Sequence, residues 1–148
     1  MPSHYNGSAD EVRALDAYIK LVRATESILG CMSQKLAADK LTVSQFGALE
    51  ALLHLGPMSQ RQLGTKLLKS SGNITMVVDN LEKRGLVQRR RDASDRRVVT
   101  VSLSDEGRAL IQGLFPRHAR EIVDELGALS GAEQEELGRL CRKLGRRA

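Results

Sequence analysis

The chain has 148 residues, 41% of them hydrophobic and 28% charged, a balance typical of a globular domain and not of a disordered chain. Its formal net charge of +5 and its isoelectric point of about 9.6 favour an anionic partner. No apolar run approaches the length of a membrane span, and the N-terminal residues lack the features of a secretion signal. We therefore expect a cytoplasmic protein that does not contact a membrane.

The first half of the chain begins with a polar tail over residues 1–9. Apolar side chains at helical spacing then predict a long helix over about 10–38. Thr42 and Gln45 have the spacing of a capping box, in which each side chain bonds the backbone of the other residue, and they open a second helix. Gly56, followed by a proline, ends that helix because the residue before proline resists the α conformation.

The next segment has the pattern of two helices joined by a short turn. A second capping signature predicts a short third helix over 59–68, followed by a turn over 69–72. A fourth helix is predicted over 71–84, and Gly85 stops it in the position where glycine is favoured. This arrangement is a helix-turn-helix.

The apolar period then changes from helical to alternating. Residues 86–91 and 97–103 are predicted strands, and the acidic and small residues at 92–95 form the turn between them. We interpret this hairpin, 87–103, as the wing of a winged helix. Ser104 then caps a fifth helix, and a further capping box precedes the last helix.

The sequence therefore predicts a mainly α fold with a small β-hairpin. A winged helix-turn-helix lobe covers 42–104, and the flanking segments 10–41 and 105–148 form a helical dimerisation region. The flanking helices have more apolar positions than a lobe this small can cover. A homodimer is the expected assembly, and its twofold symmetry matches a palindromic double-stranded DNA site.

The positive charge is concentrated beside the predicted helix-turn-helix. Residues 83–97 contain seven basic and two acidic residues, which gives this short segment a net charge of +5. An α-helix fits the major groove, where each base pair presents a distinct pattern of donors and acceptors. We expect the polar outer face of helix 71–84 to contact base edges through Ser71, Asn73, Thr75, Met76 and Asn80. We expect residues near the two ends of the helix to contact phosphates: Lys69, Ser70, Lys83 and Arg84.

The wing supplies a second candidate contact. Asp95, Arg96 and Arg97 follow the turn, and arginine inserts favourably into a narrow, electronegative minor groove. We expect one of the two arginines to pair with Asp95, which would orient the tip, and one of them to enter the groove.

Two motifs in these segments carry a family resemblance. The run SSGNITMVVDNLEKRGLVQRR at 70–90 and the wing sequence DRRVVTVSLSDEG at 95–107 resemble those of the MarR family of bacterial and archaeal regulators. The resemblance extends over about 10–147. It implies a DNA-binding homodimer, usually a repressor, whose wing pair is Asp95 and Arg97. It also implies a small-molecule or oxidant signal.

Three alternative functions remain open at this stage. Cys31 in the first helix is a candidate oxidant sensor, although no histidine or lysine lies beside it in the sequence. A winged helix can also bind protein instead of DNA. Metal binding is disfavoured because His4, His54 and His118 are dispersed, and no nucleophile–base pairing indicates an enzyme. We expect no resident cofactor.

Overall fold

The computed structural model describes residues 4–67 and 71–145, without the side chains of residues 71 and 72. Contacts divide the chain into two compact units, Met1–Ile111 and Gln112–Ala148. Nine elements follow in chain order: α1 (Ala9–Ala37), α2 (Val43–Leu55), β1 (Met58–Ser59), α3 (Gln60–Lys66), α4 (Ser71–Lys83), β2 (Val87–Arg91), β3 (Val99–Leu103), α5 (Asp105–Glu125) and α6 (Gly131–Gly145). The predicted mainly α fold with a small β-sheet is confirmed.

Capping boxes set the start of four helices. The predicted boxes at Thr42, Ser59 and Ser130 are present, each with a hydroxyl accepting from the backbone N–H three residues later. A fourth, at Ser8, begins α1 at Ala9, one residue before the predicted start. These caps satisfy N–H groups that the first turn of a helix leaves without a partner.

The sheet has one strand more than the predicted hairpin. Its order is β1-β3-β2, both pairs are antiparallel, and Val101 of the central strand faces Met58 on one side and Arg89 on the other. The short strand β1 was missed because two residues carry no alternating pattern. The predicted second strand also begins later than expected, at Val99.

The junction between α4 and the sheet depends on two glycines. Gly85 has φ of 72°, and the Leu86 N–H donates to the Leu81 carbonyl at 3.0 Å, which closes a Schellman turn. Gly107, in the first turn of α5, lies against the Leu86 backbone, where an added Cβ would be 1.9 Å from the carbonyl oxygen. Only glycine permits α5 to begin this close to the end of α4.

One apolar core holds the first unit together. The largest of its fully buried side chains are at most 1% exposed and come from α2, α3, α4, β3 and α5: Leu49, Leu52, Leu63, Val78, Leu81, Val101 and Ile111. The predicted inward stripe of α4 is confirmed at Ile74, Val78 and Leu81. Helix α4 is therefore fixed by one face, and its other face remains available.

Several apolar side chains of the flanking helices are exposed in the single chain. Helix α6 has no buried residue, and Leu140 and Leu144 are 44% and 61% exposed. On α1 only Met32 and Leu36 are buried, whereas Leu29, predicted to lie on the apolar stripe, is 46% exposed. These helices have more apolar surface than their own unit covers.

Candidate nucleic-acid interface

The outer face of α4 is polar, uncharged and exposed. Asn73, Thr75, Met76 and Asn80 all lie on this face, and Met76 is 63% exposed. Residues next to them in the sequence point into the core at helical spacing. Burial of that face fixes the rotation of α4 about its axis and keeps these four side chains exposed. The structure thus brings together four of the predicted base-reading residues on one helix surface.

A hydrogen bond connects this face to the preceding helix. Gln60, the first residue of α3, donates from Nε2 to Oγ1 of Thr75 at 3.0 Å. Sequence reasoning did not find this contact, because the two residues are 15 positions apart and no local pattern relates them. The bond fixes the Thr75 hydroxyl and leaves its rotamer less free than that of an ordinary exposed threonine.

Some predicted phosphate contacts fall at the start of α4. Lys69 and Ser70 lie outside the described residues. Ser71 is the first residue of α4, so the predicted start of the helix at 71 is confirmed and the turn predicted over 69–72 is wrong for its last two positions. A helix that begins here buries Ile74 and Val78 on one face, and this tertiary packing stabilises the helical start.

The wing tip is an ordered turn. Oδ1 of Asp92 accepts hydrogen bonds from the backbone N–H and hydroxyl of Ser94 and from the N–H of Asp95. These bonds, with that from the Ser94 hydroxyl the strongest influence, lower the pKa of Asp92. Arg91 reaches across the turn and donates from Nη1 to the Arg96 carbonyl at 2.9 Å.

Asp95 orients one of the two wing arginines, as predicted. Nε of Arg97 donates to Oδ1 of Asp95 at 3.1 Å, Nη2 donates to Oδ2 at 3.3 Å, and the Arg97 N–H also donates to Oδ1. The Arg97 guanidinium lowers the pKa of Asp95. The Arg97 side chain nevertheless remains 91% exposed, so its orientation is set by these hydrogen bonds and not by burial.

Arg89 belongs to the protein interior side of the sheet and not to the outer surface. Its Nη2 lies 2.5 Å from Oδ1 of Asp79 and 3.0 Å from Oε1 of Glu82, and its N–H donates to Oε2 of Glu82. The hydrogen bond from the Arg89 side chain is the main cause of a lowered pKa at Glu82. This ion triad connects β2 directly to α4, and the charge of Arg89 is neutralised by partners within the chain.

Arg84 has partners within the chain that the sequence did not indicate. Its guanidinium donates from Nη1 to the Lys40 carbonyl at 2.6 Å and from Nη2 to the Asp39 carbonyl at 3.4 Å, while the residue stays exposed. Among residues 71–145, Lys83, Arg90 and Arg96 are the cations of the basic segment whose side chains form no hydrogen bond or ion pair. Some positive charges of the basic segment 83–97 are therefore already engaged within the chain and not fully available to a ligand.

A cleft of about 960 Å³ separates the helix-turn-helix from the wing. Thr75 of α4 and the wing pair Asp95–Arg97 line it together with the N-terminal part of α3. Helix and wing thus face a shared space whose lining is largely polar, as suits a hydrated, charged ligand.

The residues behind the alternative functions are dispersed. Cys31 is half-buried on α1, and Cys141 is exposed on α6. Within residues 4–67 and 71–145, no three histidine, cysteine or acidic side chains are grouped as metal ligands would be. Within the same ranges, no helix has the length and apolarity to cross a membrane.

A helix-turn-helix followed by a basic β-hairpin wing defines the class of winged-helix proteins. The family model described as MarR matches residues 41–99. The HTH-type transcriptional regulator MhqR of Bacillus subtilis is 35% identical over 133 residues, which cover 90% of this chain and 92% of that protein. The HTH-type transcriptional repressor NicR of Pseudomonas putida is 34% identical over 125 residues, covering 84% and 78%.

A solved structure agrees with these relatives. BpsR of Bordetella bronchiseptica superposes with a TM-score of 0.81 at 29% identity, over 87% of this chain and 98% of its own. The chain belongs to the MarR family of transcriptional regulators.

Proposed function

We propose that the protein binds double-stranded DNA sequence-specifically, with α4 in the major groove and the wing in the adjacent minor groove. The observation that carries the proposal is the exposed, uncharged outer face of α4 beside a cationic wing tip. Asn73 or Asn80 can bond adenine through two hydrogen bonds, and Met76 can contact a thymine methyl group. Arg97 is aimed by Asp95, while Arg96 extends from the same tip.

We further propose that residues 10–41 and 105–148 form the dimerisation region and that 42–104 is the DNA-binding lobe. The exposed leucines of α6 and the sparsely buried α1 supply the apolar surface that a second copy would cover. Two lobes related by a twofold axis would meet a palindromic site in successive major grooves, about 34 Å apart.

Selection from random DNA tests the base-reading role. The wild-type chain should enrich a palindromic duplex, and its affinity should fall linearly with the logarithm of salt concentration, with a slope of about −0.9 per phosphate contact. Asn73→Ala should lose about 1–3 kcal/mol at one base position and relax the preference there. Equal losses on every sequence would assign Asn73 to helix capping or to the backbone, and failure to enrich any duplex would favour a protein-binding winged helix.

A small-molecule effector is the form of regulation that we propose. The similar protein BpsR has its DNA binding regulated by 6-hydroxynicotinic acid, and the similar protein NicR is a repressor. Adding 6-hydroxynicotinic acid to the selected complex should weaken binding, and a promoter carrying the selected site should be less active when the protein is present. Unchanged affinity contradicts an effector of this chemical class, and increased transcription contradicts repression.

A further inference from the structure

Arg84 connects two elements that are far apart in the sequence. It follows α4 directly, and the carbonyls that it contacts, at Lys40 and Asp39, lie 44 and 45 positions earlier, just after α1. A guanidinium presents several N–H donors in a fixed plane, so it holds two carbonyls in one geometry, whereas the three donors of an ammonium rotate about a single flexible nitrogen. The contact therefore constrains the orientation of α4 relative to the end of α1.

The end of α1 has an unusual backbone that this contact supports. Lys40 has φ of 57°, in the left-handed region that glycine normally occupies. The Leu41 N–H donates to the Leu36 carbonyl and the Lys40 N–H to the Ala37 carbonyl, so the turn is a Schellman motif without glycine. Arg84 supplies donors to carbonyls that this turn exposes and places a positive charge at the negative end of the α1 dipole.

The position of α1 matters because that helix carries exposed apolar side chains. Tyr18, Leu21 and Leu29 are 64%, 40% and 46% exposed, and in the proposed dimer they belong to the region that contacts the partner. The orientation of α4 relative to α1 then determines where each recognition helix lies relative to the twofold axis. A change in that orientation alters the distance and angle between the two helices.

We infer that Arg84 is a positioning residue, which fixes α4 against the α1–α2 corner and thereby sets the half-site spacing that the dimer accepts. The inference rests on the proposed function. Arg84 acts through the fold and need not touch DNA. Its loss should therefore reduce discrimination between spacings more than it reduces affinity for the best site.

A spacing series measures this role. The duplex selected by the wild-type chain is compared with duplexes in which the half-sites are one base pair closer or farther, a shift of about 3.4 Å and about 35°. The affinity ratio between the selected and the altered spacing should fall by a factor of about ten in Arg84→Ala, as expected for loss of a charge-assisted contact. Lys83→Ala is the matched control for charge: it removes a positive charge, and the phosphate contact expected of Lys83, from the adjacent exposed residue. It should lower the affinity for both spacings alike and keep their ratio.

Each outcome of the series has a defined meaning. Arg84→Lys keeps the charge but cannot bond both carbonyls in one plane, so it should give an intermediate ratio and also serves if Arg84→Ala does not fold. Equal ratios in the wild-type chain, the Lys83 variant and the Arg84 variants would overturn the positioning role. Absence of wild-type binding to any duplex would instead contradict the proposed function.

Discussion

The ion triad of Arg89 with Asp79 and Glu82 makes a quantitative prediction for stability. Replacing Arg89 by Met removes two charge-assisted contacts, each typically worth about 1.5–3 kcal/mol when well shielded. Asp79 and Glu82 are 41% and 40% exposed, so solvent screening reduces that value. We expect Arg89→Met to lower the free energy of unfolding by about 1–2 kcal/mol at neutral pH, with Tm about 3–8 °C lower.

The pH dependence of this loss has a definite sign. Hydrogen bonding to Arg89 lowers the pKa of folded Glu82 below its ordinary value of 4.5, so the contribution is complete above that value. It is lost as the pH falls through the folded pKa, and the difference between wild type and variant should shrink there. Denaturant unfolding followed by circular dichroism, at one protein concentration, measures both effects.

Arg90→Met is the control for the triad. Arg90 is the next residue of β2, is exposed, and forms no ion pair within the described part of the chain. It should change the free energy of unfolding by less than about 0.5 kcal/mol. Equal destabilisation by the two substitutions, or a loss in Arg89→Met that does not depend on pH, would refute the reasoning.

Three further predictions concern packing, DNA affinity and assembly. Gly107→Ala should lower the free energy of unfolding by about 3 kcal/mol or more in thermal melts, because the added Cβ would be 1.9 Å from the Leu86 carbonyl oxygen. Gly113→Ala is the control, because the space around Gly113 is open, and it should not destabilise. Equal effects of the two substitutions would contradict the packing account. Arg97→Ala should weaken binding to all duplexes and reduce the salt slope by about one, and unchanged affinity excludes its role in the wing. Leu140→Glu should shift the sedimentation coefficient toward that of the monomer, whereas Arg142→Glu, on the opposite face of α6, should not. A dimer in both variants would contradict a dimer interface on the leucine face of α6.

Local patterns predicted most of the fold. The capping boxes at Thr42, Ser59 and Ser130 are confirmed, because their energetics involve only residues three apart. Gly85 ends α4 where expected, since a left-handed residue after a helix has a strong glycine preference. The strand β1 was not predicted, because its pairing with β3 depends on tertiary proximity and not on its own two residues.

The sequence predicted which residues form the candidate interface but not all of the hydrogen bonds and ion pairs between them. The sequence indicated which side chains of α4 are exposed, because helical periodicity separates the two faces. It could not show that Arg84 and Arg89 are engaged within the fold, because their partners are chosen by tertiary contact. The pairing of Asp95 with Arg97 was anticipated because the two residues share one tight turn.

Footprinting the selected duplex with hydroxyl radicals tests the central claim most directly. Two copies of α4 and of the wing should protect the sugar–phosphate backbone in two symmetry-related segments about one helical turn, or about 10 base pairs, apart, with the minor groove at each wing also protected. A single protected patch without twofold symmetry, or protection that is the same on every sequence, would contradict the account.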